Sequence, residues 1–213
     1  MISLHTAAKL ALVGLAYIYS TRLIDTFCHG IFSPVSVAAI VVGLNILSGV
    51  AQLAFFIIFY RQFVPEDRPA LMVGAWLAIT GSAIALLPKF LAMSVLFQTE
   101  TLFFFILQGN RIAAFSPWLA AMLLLAFTLI FLADREFRRH KYVMMALVAG
   151  AGGWFCMDSI QSLVIINYLT SGRLLWLNEL FAAGPIIVVI ATSLTFLGLA
   201  IFYVRFTRRV QPL

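Results

Sequence analysis

The stretch VSVAAIVVGLNILSGVAQLAFFIIFY, from Val35 to Tyr60, contains no charged residue. It is far longer than the about 9–11 residues of a membrane barrel strand, and its apolar residues do not alternate with polar ones. About 20 apolar residues in a helix cross a 30 Å hydrocarbon layer. A helix also satisfies every backbone N–H and C=O within the segment, which lipid requires. The stretch therefore predicts a membrane-spanning helix.

The whole chain has this character. Of its 213 residues 63% are hydrophobic and 10% charged, with mean hydropathy +1.06. A soluble domain is about half apolar and a quarter charged, so an apolar solvent is expected to surround much of the surface. Five further runs match the Val35–Tyr60 stretch. They are about Leu4 to Ile24, Pro69 to Leu87 or beyond, Ser116 to Ala133, Tyr142 to Leu169, and Glu179 to Arg205. Pro69 suits a first helical turn, and Ser116-Pro117 reads as an N-cap followed by an N1 proline. Lys9 precedes the run LALVGLAYIY, but no small-x-small cleavage site follows before Arg22 and Asp25, so a retained first helix is expected. The expected fold is all-α: a polytopic bundle of six spans in one domain, 1–213.

Charge gives the orientation. With the N-terminus inside, ten of the 14 Lys and Arg lie on the cytoplasmic side. These are Lys9, Arg61, Arg68, Arg135, Arg138, Arg139, Lys141, Arg205, Arg208 and Arg209. An odd number of spans would separate the basic 134–141 loop from the basic C-terminal tail. Both termini are thus expected in the cytoplasm, most naturally at a bacterial-type inner membrane. The same distribution explains the net charge of +6 without nucleic acid as a partner. Membrane lipids are the expected surroundings.

Between the third and fourth spans, Pro88-Lys89 interrupts the apolar run, and a kink at Pro88 would let the third helix continue. The block Leu102 to Leu107 is too short to span. It allows a short interfacial helix, a re-entrant segment, or a loop folded back after an overshooting third helix.

Polar residues inside the spans are the candidate site. Asp158 lies past the midpoint of the fifth run, and an ionised acid at a helix centre costs at least about 2.5–3.5 kcal/mol. It should therefore face the bundle. Gln161 and Ser162 share its helical face, and Gly150, Gly152 and Gly153 allow a neighbouring helix to approach. Asn45, Ser48 and Gln52 form a second polar stripe near mid-membrane. A single layer joining the two stripes would bind a small ligand or a proton, or would serve as interhelical glue.

Other features carry less. Thr192, Ser193 and Thr195 suit hydroxyl bonds to the preceding turn, and Pro185 suits a bend. Arg22, Asp25 and His29 share one outer face if the first helix extends that far. Asp25 and His29 could act as an acid–base pair on a lipid-like substrate. Lys89, Glu100, Arg111, Arg173 and Glu179 fall at the same level, ready to pair or to reach the headgroups. The three histidines do not face one another at one depth, which argues against haem, and two ligands do not make a metal site. No HExxH, GxSxG or phosphate loop occurs, and no cofactor is expected. Cys28 and Cys156 read as packed thiols. Faces such as Gly43/Leu44/Leu47 and Gly74/Ala78/Gly81 could pack within one bundle or between copies.

The expectation is a non-enzymatic bundle for transport or ligand binding. A membrane subunit or sensor acting through partners, homo-oligomer included, stays open. So does an intramembrane enzyme using Asp25 and His29.

Overall fold

The computed structural model describes residues 3–27, 35–64, 66–96, 103–134, 145, 148, 152 and 177–207. Among these the long elements are all helices, and no strand occurs. They are α1 (Leu4–Phe27), α2 (Val35–Phe63), α3 (Pro69–Ile84), α4 (Leu87–Leu96), α5 (Phe103–Ala133) and α6 (Leu177–Thr207). At 1.5 Å per residue, the 29 residues of α2 reach about 43 Å.

The third run is broken where proline chemistry requires it. Pro88 has no N–H to offer the Ile84 carbonyl four residues earlier, and α3 ends at Ile84. The Ala85 N–H still reaches Gly81 O at 2.9 Å, while Leu86 turns tighter onto Ala83 O at 3.1 Å. Helix α4 then starts at Leu87, with Pro88 in its first turn and the Lys89 and Phe90 N–H groups both on Leu86 O. The interruption is thus a two-residue turn placed just before the proline.

Two expectations need correction. Among the described residues of the Leu102 to Leu107 block no separate interfacial helix occurs, because from Phe103 onward the chain runs continuously to Ala133 as one helix of 31 residues. Ser116-Pro117 consequently lies inside α5 and does not open it. The proline forfeits one ladder bond, to the Ala113 carbonyl, and a helix packed among others tolerates that loss. The Ser116 hydroxyl is buried without a partner, so it caps nothing.

Helix α1 packs on α2 and α6, and α3 on α5, while α2 also meets α3 and α4, and α4 meets α5. One end of the bundle is filled with rings. Phe55 of α2 lies 4.8 Å from Tyr203 of α6, Phe56 lies 5.5 Å from Phe127 of α5, and Phe59 lies 5.4 Å from Phe206. Edge-to-face geometry dominates, as the ring quadrupoles favour. Ala7, Ala8 and Ala11 bring α1 against this cluster with almost no exposed surface.

Polar contacts close the same end. The Leu4 N–H donates to Gln62 Oε1 at 3.2 Å, and Arg68 Nη1 pairs with Asp134 at 3.3 Å. The starts of α1 and α3 therefore gather with the ends of α2, α5 and α6.

The outside is apolar on several helices. Val13, Ile40, Leu47, Trp76, Leu129 and Ile190 are exposed, Val13 by 68% and Leu47 by 64%. Two helical stretches, Ala39–Phe63 and Pro69–Phe90, are long and apolar enough to cross a membrane, by length and composition. Only 22% of the first and 33% of the second is buried. A core helix of a water-soluble protein would be mostly covered by its neighbours.

Candidate functional site

The break before α4 positions the site. It brings Lys89 against the middle of α2, where the Lys89 Nζ donates to the main-chain carbonyl of Asn45 at 3.2 Å. Room for this comes from Gly49, one turn along α2. A Cβ at Gly49 would lie 2.5 Å from Leu86 Cδ2 and 3.1 Å from Lys89 Nζ. The missing side chain is thus the notch that holds both Leu86 and the ammonium.

The expected stripe on α2 divides into different roles. Ser48 is buried, and its hydroxyl donates to Leu44 O at 2.8 Å within its own helix. Gly14 of α1 sits directly over it, with its Cβ position 3.0 Å from Ser48 Cα. This proton is therefore used locally, in the manner known for hydroxyls in helices. Asn45 differs, because its side-chain Oδ1 is buried and has no hydrogen-bond partner. Gln52 is half-buried one further turn toward the aromatic end.

Leu44 and Asn45 each offer a carbonyl that an α-helix already uses for the N–H four residues on. Each carbonyl accepts a second donor here, from Ser48 and Lys89.

Asp158, Gln161 and Ser162 lie outside the described residues, as does His29. Asp25 is in the last turns of α1, and its side chain is outside the description too. Lys89, expected at the outer end of the bundle to pair with charges or to reach the headgroups, donates to the α2 backbone, a contact that sequence reasoning missed. The usable signal was Pro88 beside it, since a helix break and a charge at one position bring backbone and ammonium together.

A second polar contact crosses helices nearby. The hydroxyls of Tyr19 on α1 and Ser193 on α6 lie 2.9 Å apart, and the Tyr19 ring stacks on Phe196 at 4.5 Å. Ser193 thus bonds across the interface, where a bond to its own preceding turn was expected. The Gly74/Ala78/Gly81 face packs inside the bundle: Cβ positions at Gly74 and Gly81 would meet Phe131, Ile130, Leu123 and the Ala120 carbonyl of α5. Leu44 and Leu47 of the other small-residue face are exposed.

Among the described residues no group of three His, Cys, Asp or Glu side chains comes together. Comparison with protein-family models, with curated proteins and with solved structures gives no match. The chemistry of the site is therefore argued from its own residues.

Proposed function

We propose that the chain is a multi-pass membrane protein of six spans with both termini cytoplasmic, and that its polar layer binds and passes a small polar solute or proton. The observation that carries this reading is the half-buried Lys89 ammonium on the Asn45 carbonyl, between two helices whose outer faces are apolar. A lysine at membrane depth costs about 2.5–3.5 kcal/mol on insertion scales, and such residues mark solute or proton paths.

The helix ends support the span count. Asp134 and Phe206 belong to the aromatic end, while Leu177 begins α6 about 43 Å away from Phe206. An odd number of crossings between Asp134 and Leu177 fits this, and in this reading the Tyr142 to Leu169 run is the fifth span. The basic residues Arg61, Arg68 and Arg205 support a cytoplasmic aromatic end in this reading, with a bacterial-type inner membrane as the proposed location.

Sequence spacing supports the same layer for Asp158 in this reading. Asn45 precedes Arg61 by sixteen residues, and Asp158 follows Tyr142 by sixteen, so two helical spans would set both about 24 Å from the inner boundary. In this reading Asp158 supplies carboxylate charge to the layer of Lys89, Asn45 and Gln52, with Gln161 and Ser162 beside it. The layer then sits in the outer third of the membrane, above its middle.

The test is water access. In a background with Cys28 and Cys156 replaced, an Asp158→Cys variant in sealed vesicles should react with a small charged thiol reagent. Leu47→Cys, on the exposed face of α2, should not. Equal inertness of both positions would sink the proposal and leave the layer as interhelical glue.

A further inference from the structure

We propose that the bundle moves as two packed units that pivot at the aromatic end, with the turn before Pro88 as the joint by which the opposite end opens. This deepens the transport reading above and rests on it.

The units are defined by close contacts. On one side Gly14 of α1 lies against Ser48 of α2, Tyr19 of α1 meets Ser193 of α6 at 2.9 Å, and Phe55 of α2 packs on Tyr203 of α6. On the other, α3 lies on α5, and a Cβ at Gly74 or Gly81 would come within 3.1 Å of Ile130 or of the Ala120 carbonyl oxygen. Interiors packed this closely shift as bodies and do not deform smoothly. Among the described residues, ring contacts from α2 to α3 and α5 gather at the aromatic end. Phe56 lies 5.5 Å from Phe127, Phe59 lies 5.6 Å from Phe131, and Tyr60 lies 5.5 Å from Trp76. These rings are the pivot.

At the other end the chain itself passes from one unit to the other. Helix α3 is held by α5, whereas Leu86, Lys89 and Met93 lie on Gly49, the Asn45 carbonyl and Gly43 of α2. Helix α4 meets α5 as well, so it covers the seam. The passage falls at Ala85 and Leu86, where Pro88 denies the Ile84 carbonyl its ladder donor. Element ends of this kind absorb the backbone rotation of a hinge. Helix α5 carries its own break at this level. Gly81 faces Ala120, and Ser116 lies one turn farther out on the same face. Pro117 beside it leaves the Ala113 carbonyl without its ladder donor.

The shut arrangement leaves a polar group unmet on each unit here. Ser116 is 5% exposed, and neither its hydroxyl nor the Asn45 amide oxygen has a hydrogen-bond partner. Water entering an opened outer end would satisfy both, which biases the bundle toward opening.

The experiment labels the full chain in nanodiscs with a small charged thiol reagent, in a background with Cys28 and Cys156 replaced. Ser116→Cys should react, although this side chain is buried in the shut arrangement. Thr128→Cys is the control, fully buried on the same helix near the pivot, and should stay inert. Pro88→Ala lets α3 run on into α4 and should slow labelling of Ser116→Cys about tenfold, whereas Pro88→Gly, a poor helix former, should leave the rate nearly unchanged. The inference is overturned if Ser116→Cys is inert, if Thr128→Cys reacts as fast, or if Pro88→Ala changes nothing. Should Pro88→Ala not fold, spin labels decide. Labels at Leu47 and Leu119, on different units, should give a broader distance distribution than labels at Val13 and Leu47 on one unit, and equal widths would overturn the joint. Labelling at position 158 is read separately. If it proceeds and ignores Pro88→Ala, a path exists without this joint; if it fails while Ser116→Cys depends on Pro88, the joint stands and the path does not.

Discussion

Gly14 on α1 faces Ser48 on α2 so closely that a methyl group at position 14 would lie 3.0 Å from the Ser48 Cα and 3.2 Å from its carbonyl oxygen. Backbone cannot step aside as a flexible side chain can. Gly14→Ala should therefore push α1 and α2 apart and destabilise the protein by about 1–3 kcal/mol, the usual cost of overpacking. Gly43→Ala is the matched control, because among the described residues its Cβ would meet only the Met93 Cε at 3.9 Å. A helix-favouring alanine there should be neutral or slightly stabilising. Unfolding midpoints in one detergent compare the two, and equal losses would refute this account of the α1–α2 contact.

Arg68 and Asp134 tie the start of α3 to the end of α5, with one guanidinium nitrogen 3.3 Å from both carboxylate oxygens. The pair is partly buried. A double-mutant cycle with Arg68→Gln and Asp134→Asn should give a coupling energy of about 0.5–1 kcal/mol, falling as salt is raised. A coupling of zero at low salt would mean that the contact adds nothing to closing this end.

Tyr203 is fully buried among rings, and its hydroxyl has no hydrogen-bond partner. An unmet hydroxyl there costs about 1–3 kcal/mol, whereas its ring contributes through Phe55, Phe56 and Phe202. Tyr203→Phe keeps the ring and removes the hydroxyl, so it should raise the melting temperature. Tyr203→Ala should lower it, with a loss of unfolding free energy of about 3–5 kcal/mol in line with large-to-small aromatic changes. A drop on Tyr203→Phe would overturn the orphan assignment.

The sequence made the helices legible because nothing else could use the long runs of Leu, Ile, Val and Phe. Five of the expected six runs correspond to described helices, and the starts at Leu4, Val35 and Pro69 coincide with it. What misled was local punctuation. Ser116-Pro117 has the chemistry of a helix start, yet the apolar residues on both sides let α5 run through. The site was half legible: Asn45, Ser48 and Gln52 stand out by polarity, but their roles depend on neighbours. Whether Ser48 turns to its own helix depends on Gly14, and whether Lys89 reaches the surface or the backbone depends on Gly49. Helical periodicity describes one helix at a time and contains neither fact.

Gly49 accordingly decides the geometry of the candidate site. A Cβ there would lie 2.5 Å from Leu86 Cδ2, which must shift, and 3.1 Å from Lys89 Nζ, which must give by a few tenths of an ångström. Leu86 is buried, with 6% of its surface exposed, at the turn between α3 and α4, so it has little room to swing away. Gly49→Ala should therefore move the start of α4 outward and break the bond from Lys89 to the Asn45 carbonyl. Alanine is also the better helix former by about 0.8–1.0 kcal/mol, and α2 itself should gain. The two effects differ in what they move: thermal stability changes little, while any Lys89-dependent binding falls at least tenfold. Leu86→Ala in the same chain removes the nearer obstacle and should recover part of that binding. If Gly49→Ala binds like the wild type, the notch is incidental and Lys89 is positioned by something other than the α2 backbone.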